Sequence, residues 1–293
     1  MKKKVDFKSF GIFGFPLGHT LSPAMQEAAF AALGLKAFYL VLELDRPHFH
    51  KVFGNIERLR LGGFNVTVPY KEEVIPYLDR LTPRARGIGA VNTVLYQGRK
   101  WIGTNTDVDG FLLSLERDGK FRPRGKKTLI FGAGGGARAV AYGLADEGAR
   151  SIAITDIYPE KVGKLFKDLK PLFPKTEWIT VAQNEEELKT VLRDVDLVVN
   201  ATAMGLKPDD PVIIRASWIP QGSAKRRMLF YDLIYRPSVT PFLKVARRRG
   251  HRAVNGLGML LYQGAKAFEF WTQKKAPVPV MRRVLENALK SNP

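Results

Sequence analysis

Apolar positions along the chain fall into two kinds of stretch. Short runs rich in β-branched and aromatic residues alternate with longer segments of helical period. Residues 9–13 form the first short run, which ends at Gly14-Phe15-Pro16. A helix is predicted from Ser22-Pro23, with Ser as N-cap and Pro at the first helical position, through Met25, Ala28, Ala29 and Ala32 to a stop at Gly34. Residues 37–44 and 64–68 read as further strands. Residues 90–96 and 100–103 read as a hairpin turning at Gln97-Gly98. Strands alternating with helices imply βα units and a largely parallel sheet.

A second such pattern begins after Asp109. Residues 111–117 look helical, and 121–127 form a basic, turn-forming connector. The strand 127–131 runs straight into Gly132-Ala133-Gly134-Gly135-Gly136-Ala137. A helix over 137–147 follows and stops at Gly148, and the strand 151–155 closes on Asp156. Residues 196–200 and 228–232 are further strands. Residues 258–271 and 281–289 are helical, separated by the breaker Ala276-Pro277-Val278-Pro279. Strand, glycine cluster and helix in that order is the context of a dinucleotide-binding turn, with Gly132, Gly134 and Ala137 at its three small positions. Such glycines let backbone N–H groups approach a pyrophosphate, which the helix N-terminus also favours. A carboxylate at Asp156 accepts hydrogen bonds from ribose hydroxyls and repels a 2′-phosphate, which favours NAD and leaves NADP as the alternative. The plainer role of Asp156 is a turn or N-cap residue before Pro159; the nearest following cations are Lys161 and Lys164.

Composition narrows the class. With 293 residues, 45% of them hydrophobic and 26% charged, the chain suits two ordinary globular domains. It has no cysteine, which excludes disulfides, thiolate metal sites and a cysteine nucleophile; no metal site is expected. No apolar run approaches the ~20 residues of a membrane span. Met1 to Lys4 are basic without a secretory core after them, so a cytoplasmic protein is expected. The charge is unusual: 47 Lys and Arg against 28 Asp and Glu give +19, with a pI near 10.1. One reading is a basic nucleic-acid-binding Rossmann protein, through Lys225-Arg226-Arg227 and Arg247-Arg248-Arg249. No helix-turn-helix, zinc-finger or RNP-like motif accompanies these clusters. A solvated face, or a field that draws in anionic small molecules, is favoured instead.

The remaining polar signals gather early in the chain. Gly18-His19-Thr20-Leu21-Ser22-Pro23 sets two hydroxyls at a loop-to-helix junction. Asn65-Val66-Thr67-Val68-Pro69-Tyr70-Lys71 places a lysine just past a strand. Gly89-Ala90-Val91-Asn92-Thr93 and Asn105-Thr106-Asp107 each put an amide or carboxylate at a strand end. Together with the glycine turn, Asn200-Ala201-Thr202 with Gly205, and Tyr262-Gln263-Gly264, these ordered motifs resemble the shikimate dehydrogenase family, including its quinate/shikimate branch. The resemblance covers essentially the whole chain.

The resemblance implies an α/β, two-domain oxidoreductase. Residues 1–108 and 255–293 would form the substrate-binding catalytic domain, and 109–254 a Rossmann-type dinucleotide-binding domain. It implies reversible reduction of 3-dehydroshikimate to shikimate, on the route to aromatic amino acids, with Lys71 and Asp107 as the catalytic pair. Thr20 and Ser22 would hold the substrate carboxylate, with Tyr235 near that end, and Thr67, Asn92 and Gln263 would bind ring hydroxyls. The cofactor would lie on Gly132, Ala133, Gly134, Gly135, Gly136, Ala137 and Asp156, with Asn200, Thr202 and Gly205 on its nicotinamide side. Two positions depart from the family pattern. Thr20 stands where the family usually has Ser, which leaves quinate as the alternative main substrate. Thr155-Asp156-Ile157 stands where NADP-using members carry an Asn-Arg-Thr-like stretch, which strengthens NAD. The expected partner is a small molecule, with monomer and homodimer both open. A silent metabolite-sensing relative is disfavoured because the full polar set is intact.

Overall fold

The N-terminal apolar run is β1 (Lys8–Gly14), buried from Phe10 onward. After it come α1 (Ser22–Ala32), β2 (Ala37–Glu43), α2 (Arg46–Phe53), β3 (Gly63–Val66), β4 (Arg80–Leu81), α3 (Pro83–Ile88), β5 (Thr93–Gln97) and β6 (Lys100–Thr104). This computed structural model describes residues 8–18, 20–207, 209–223 and 226–290. Met1 to Lys4, His19 and Lys225, used in the reading above, lie outside them.

The first sheet has the order β2-β1-β3-β5-β6-β4. β2, β1 and β3 run parallel, but β5 is antiparallel to both its neighbours, so this sheet is mixed. The cause is the predicted hairpin. Gly98 and Arg99 both have positive φ, +58° and +61°, the backbone that a two-residue turn between twisted strands needs. Aromatic residues fill one face, with Phe49 stacked on Tyr70 at 3.9 Å and Phe13 edge-on to Phe64 at 5.1 Å.

The second sheet arises from α4 (Asp107–Arg117), β7 (Lys127–Phe131), α5 (Gly135–Asp146), β8 (Ser151–Thr155), α6 (Pro159–Leu169), β9 (Glu177–Thr180), α7 (Glu185–Leu192), β10 (Leu197–Asn200), β11 (Leu229–Asp232), α8 (Pro241–Arg248) and β12 (Arg252–Val254). Its order is β12-β11-β10-β7-β8-β9, and every pairing is parallel. The register aligns Thr155, Phe131, Asn200 and Asp232 in one row at the C-terminal ends of β8, β7, β10 and β11. Strand order reverses between β7 and β10, the place where open α/β sheets bind ligands.

Two helices finish the chain, α9 (Leu257–Thr272) and α10 (Val278–Lys290). Two compact units result: residues through Thr106 with those from Leu261 onward, and Asp107–Leu260. In the first unit α9 lies against α1 and the sheet. A Cβ on Gly264 would stand 2.1 Å from the Met25 methyl, and Trp271 donates its indole N–H to the Val94 carbonyl at 2.9 Å. No described helix is long and apolar enough to cross a membrane. Among the described residues no group of acidic or histidine side chains could hold a metal ion.

Candidate active site

In the first unit the chain leaves β3 through Thr67, Val68 and a cis Pro69 to reach Tyr70 and Lys71. Tyr70 is clamped by its stack on Phe49 and by its hydroxyl, which donates to the Leu44 carbonyl at 2.6 Å. That clamp fixes the backbone of half-buried Lys71, whose carbonyl accepts from Val91 N–H at 2.7 Å. The next residue, Asn92, holds Thr106: its Oδ1 accepts from Thr106 N–H at 2.7 Å, and its Nδ2 donates to Thr106 Oγ1 at 3.0 Å. Lys71 and Thr106 are therefore tied to adjacent residues, and Asp107 is one peptide bond beyond Thr106. Asp107 itself is buried and opens α4, in the second unit.

Asn92 Nδ2 also reaches Gln263 Oε1 at 3.4 Å, so two predicted substrate residues meet although 171 positions separate them. Thr67 is half-buried, and its methyl fills the space that a Cβ on Gly14 would need, 2.4 Å away. Behind this set lies a buried relay that the sequence did not reveal. Tyr39 donates to Asn65 Oδ1 at 2.7 Å, and Asn65 Nδ2 donates to the Asn92 carbonyl and to Thr93 Oγ1, each at 3.0 Å. Asn65 sits inside a quoted motif; Tyr39 carries no local signal, because only strand pairing brings β2 and β3 to opposite sides of β1.

At the start of α1 the structure corrects one expectation. Ser22 is not the N-cap. Leu21 already has near-helical dihedrals and no side chain caps the helix, so Ser22 is its first residue. The Thr20 hydroxyl accepts from Ser22 N–H at 3.4 Å instead. Buried Ser22 thus uses its hydroxyl for no capping bond, and half-buried Thr20 stands beside it at the helix N-terminus.

In the second unit the glycine turn lies at the C-terminal end of β7. Gly132 has φ +100°, and a Cβ there would stand 3.0 Å from the Ala201 carbonyl oxygen. Ala133 N–H donates to Asp156 Oδ2 at 2.7 Å, and Asp156 Oδ1 accepts from Tyr158 N–H at 2.9 Å. Gly134 is exposed, with open space around its Cβ position. It precedes α5, which starts at Gly135, two residues earlier than predicted, because the first turn has no i−4 partners to lose and tolerates glycine. Gly135, Gly136 and Ala137 therefore supply first-turn N–H groups that no side chain caps. On the other side of β7, Asn200 accepts from Thr202 N–H and Oγ1 at 3.0 and 2.7 Å. Gly205, at φ +106°, donates its N–H to Asp210 at 2.9 Å. The Lys207 N–H, also 2.9 Å from that carboxylate, and the Gly205 N–H hold the Asp210 carboxyl below its usual range. Tyr235 is half-buried, three residues past the end of β11. Open space at Gly134, uncapped N–H groups and a carboxylate at the end of β8 fit a dinucleotide: pyrophosphate at the helix, ribose at Asp156.

The profile of the shikimate dehydrogenase substrate binding domain matches residues 12–94, and that of the shikimate 5′-dehydrogenase C-terminal domain matches residues 256–286. A shikimate dehydrogenase (NADP(+)) of Desulforamulus reducens is 42% identical over 94% of this chain and 93% of its own length. This chain belongs to the shikimate dehydrogenase family. Solved members share its fold. The Aquifex aeolicus enzyme superimposes with a TM-score of 0.83 at 37% identity, covering 95% of this chain and 97% of that one. Shikimate 5-dehydrogenase of Listeria monocytogenes, in complex with shikimate and NAD, gives 0.85 at 31% identity over 97% and 99%. Family membership makes this an α/β oxidoreductase with a substrate-binding and a Rossmann-type domain.

Proposed function

We propose that this protein interconverts 3-dehydroshikimate and shikimate, with Lys71 and Asp107 as the catalytic pair and NAD as preferred cofactor. The observation that carries the reading is the tether of Lys71 and Thr106 to the adjacent residues Val91 and Asn92, with Asp107 the next residue along the chain. A nicotinamide dinucleotide, when bound, would supply or take the hydride. As hydride reaches the carbonyl carbon, the C=O π pair moves to oxygen, and the Lys71 ammonium gives that oxygen a proton. In the oxidative direction the neutral Lys71 amine takes the hydroxyl proton. Asp107 holds the ammonium in place. Thr20, Ser22 and Tyr235 receive the carboxylate, and Thr67, Asn92 and Gln263 the ring hydroxyls. Both amide hydrogens of Asn92 already have acceptors; a substrate hydroxyl would displace the long bond to Gln263 first.

The NAD preference rests on the end of β8. Each Asp156 oxygen takes one backbone N–H, and a carboxylate offers about four acceptor sites, so two remain for ribose hydroxyls. Ile157, which follows, is 67% exposed and brings no positive charge to a 2′-phosphate. The Desulforamulus relative is an NADP(+) enzyme by name, as are further curated relatives near 40% identity, so the NAD preference rests on the residues around Asp156, with the Listeria structure, which holds NAD, beside it. Quinate is the second substrate to weigh, because Thr20 adds a methyl group near the substrate carboxylate. The test is absorbance at 340 nm with shikimate and quinate, each offered NAD and NADP. Turnover of shikimate with NAD is expected; turnover only with NADP overturns the cofactor reading, and turnover only with quinate overturns the substrate reading.

A further inference from the structure

Asp232 ends β11 with no solvent exposure, and the chemistry above leaves it unused. Burying a carboxylate is costly unless donors offset its lost hydration. Three neutral donors do so. Thr240 Oγ1 donates to Oδ2 at 2.5 Å, and Ile234 N–H and Asn200 Nδ2 donate to Oδ1 at 3.0 Å each. Burial still pushes the carboxyl up to about 6.

The partner that matters is Asn200, at the same register one strand away. Its other Nδ2 hydrogen goes to the Met204 carbonyl at 3.1 Å, and its Oδ1 takes both donors of Thr202. Thr202 Oγ1 in turn accepts from Met204 N–H at 3.1 Å. Every polar atom of the Asn200 side chain thus shapes residues 201–204. That turn is the wall facing the glycine turn: Ala201 N–H donates to the Phe131 carbonyl at 2.8 Å, and the Ala201 oxygen and Thr202 methyl crowd Gly132. An amide is nearly symmetric in shape, so only the polarity of its partners fixes which end is oxygen. An acceptor-only carboxylate beside Nδ2, together with the Met204 carbonyl and the Thr202 N–H, forbids the flipped amide, which would aim its NH2 group at Thr202 N–H.

We propose that Asp232 is a positioning residue for the dinucleotide: by fixing the sense of the Asn200 amide it sets the 201–205 turn against Gly132 and so places the nicotinamide side of the site. The inference rests on the dinucleotide reading above and names a residue that the motifs do not. Asp232→Asn keeps an acceptor toward Asn200 and Ile234, while its NH2 can donate to the Thr240 hydroxyl. Asp232→Leu keeps the branched shape, with bulkier methyl groups in place of the oxygens, and removes the acceptor.

The test measures NADH affinity by fluorescence titration, with KM for dinucleotide and for the acid, on protein whose fold is checked by circular dichroism. Asp232→Leu is expected to raise the dinucleotide Kd and KM about tenfold or more and to leave the acid KM within about twofold. Asp232→Asn should stay within about threefold of wild type on all three. Asn200→Ala cuts the same link from the other end, and the double variant should be no worse than the worse single, as expected of one shared path. Unchanged dinucleotide constants in folded Asp232→Leu overturn the proposal, as does an equal rise in both KM values. Should Asp232→Leu not fold, Asn200→Ala must show the dinucleotide-specific loss, and its absence overturns the proposal. Wild-type protein that binds no dinucleotide overturns the functional reading itself, whereas wild-type binding with unshifted variants overturns only the role of Asp232.

Discussion

Lys71 is half-buried on a backbone that Tyr70 and Val91 hold rigidly, so removing its side chain should cost chemistry more than structure. Lys71→Ala is expected to lower kcat by roughly 10²–10⁴-fold, the usual range for a lost acid–base group, with the melting temperature close to wild type. Near-normal kcat in steady-state assays would remove Lys71 from the mechanism. Asp156 acts on cofactor choice by repulsion. A unit charge 4 Å from a carboxylate near the surface costs roughly 1–4 kcal/mol, so Asp156→Ser should move the NAD to NADP ratio of kcat/KM toward NADP by about tenfold or more. An unmoved ratio in that variant leaves cofactor choice to other residues. Both positions are legible in the sequence because their chemistry is local, a cation just past a strand and a carboxylate ending one. Tyr39 and Asp232 are not, because a buried polar residue acquires its meaning from donors and acceptors on other strands.

At the scale of elements, close approach decides which segments pack. A Cβ on Gly63 of β3 would lie 2.6 Å from the Trp271 ring of α9 and 2.6 Å from the Val94 carbonyl. Trp271 cannot retreat, since it stacks on Phe10 at 5.0 Å and donates to Val94. Gly63→Ala is therefore expected to destabilise the protein by about 1–3 kcal/mol, the range for overpacking, read as a lowered urea midpoint. A wild-type midpoint would mean that α9 can shift off the sheet. Strand and helix identity were largely readable from period. Boundaries were not where a cap or a first turn decides them, as at Ser22 and Gly135. The short α2, α3, α7 and α8 escaped the reading because one or two turns leave too little periodicity to register, and the three-turn α6 and the strands β4, β9 and β12 were not read either.

Across the whole molecule the charge is unevenly used. Arg247 and Arg248 lie exposed in the last turn of α8, where cations complement the helix dipole, and Arg249 donates to the Ile219 carbonyl. Lys120, Arg122, Lys126, Arg227 and Arg252 line a cavity of about 670 Å³ with Glu116 and Asp196. Lys126 and Arg252 flank the starts of β7 and β12, so this cavity lies at the opposite strand ends from the glycine turn. Stability should depend on pH through Asp232. Its folded pKa of about 6 lies above the usual 3.8, so the folded state holds the proton more tightly. The stabilisation is complete below the unfolded value and is lost as pH rises through about 6, a difference of roughly 3 kcal/mol. Asp232→Asn lacks this titration, so between pH 4 and 7 the variant should gain roughly 2–4 kcal/mol relative to wild type in urea melts. A pH-independent gap would show that Asp232 ionises in the folded state as it does in water.

By itself the sequence determined the α/β class, the glycine turn and the place of a carboxylate, Asp156, at the end of a strand, because each depends on residue type and spacing along a few neighbouring positions. Only the tertiary structure decided which sheet is mixed, that Asn92 meets Gln263, that Ser22 does not cap its helix, and that Asp232 stands behind Asn200. Those outcomes depend on strand order, register and packing, which bring distant donors and acceptors within hydrogen-bonding distance and which no local pattern encodes.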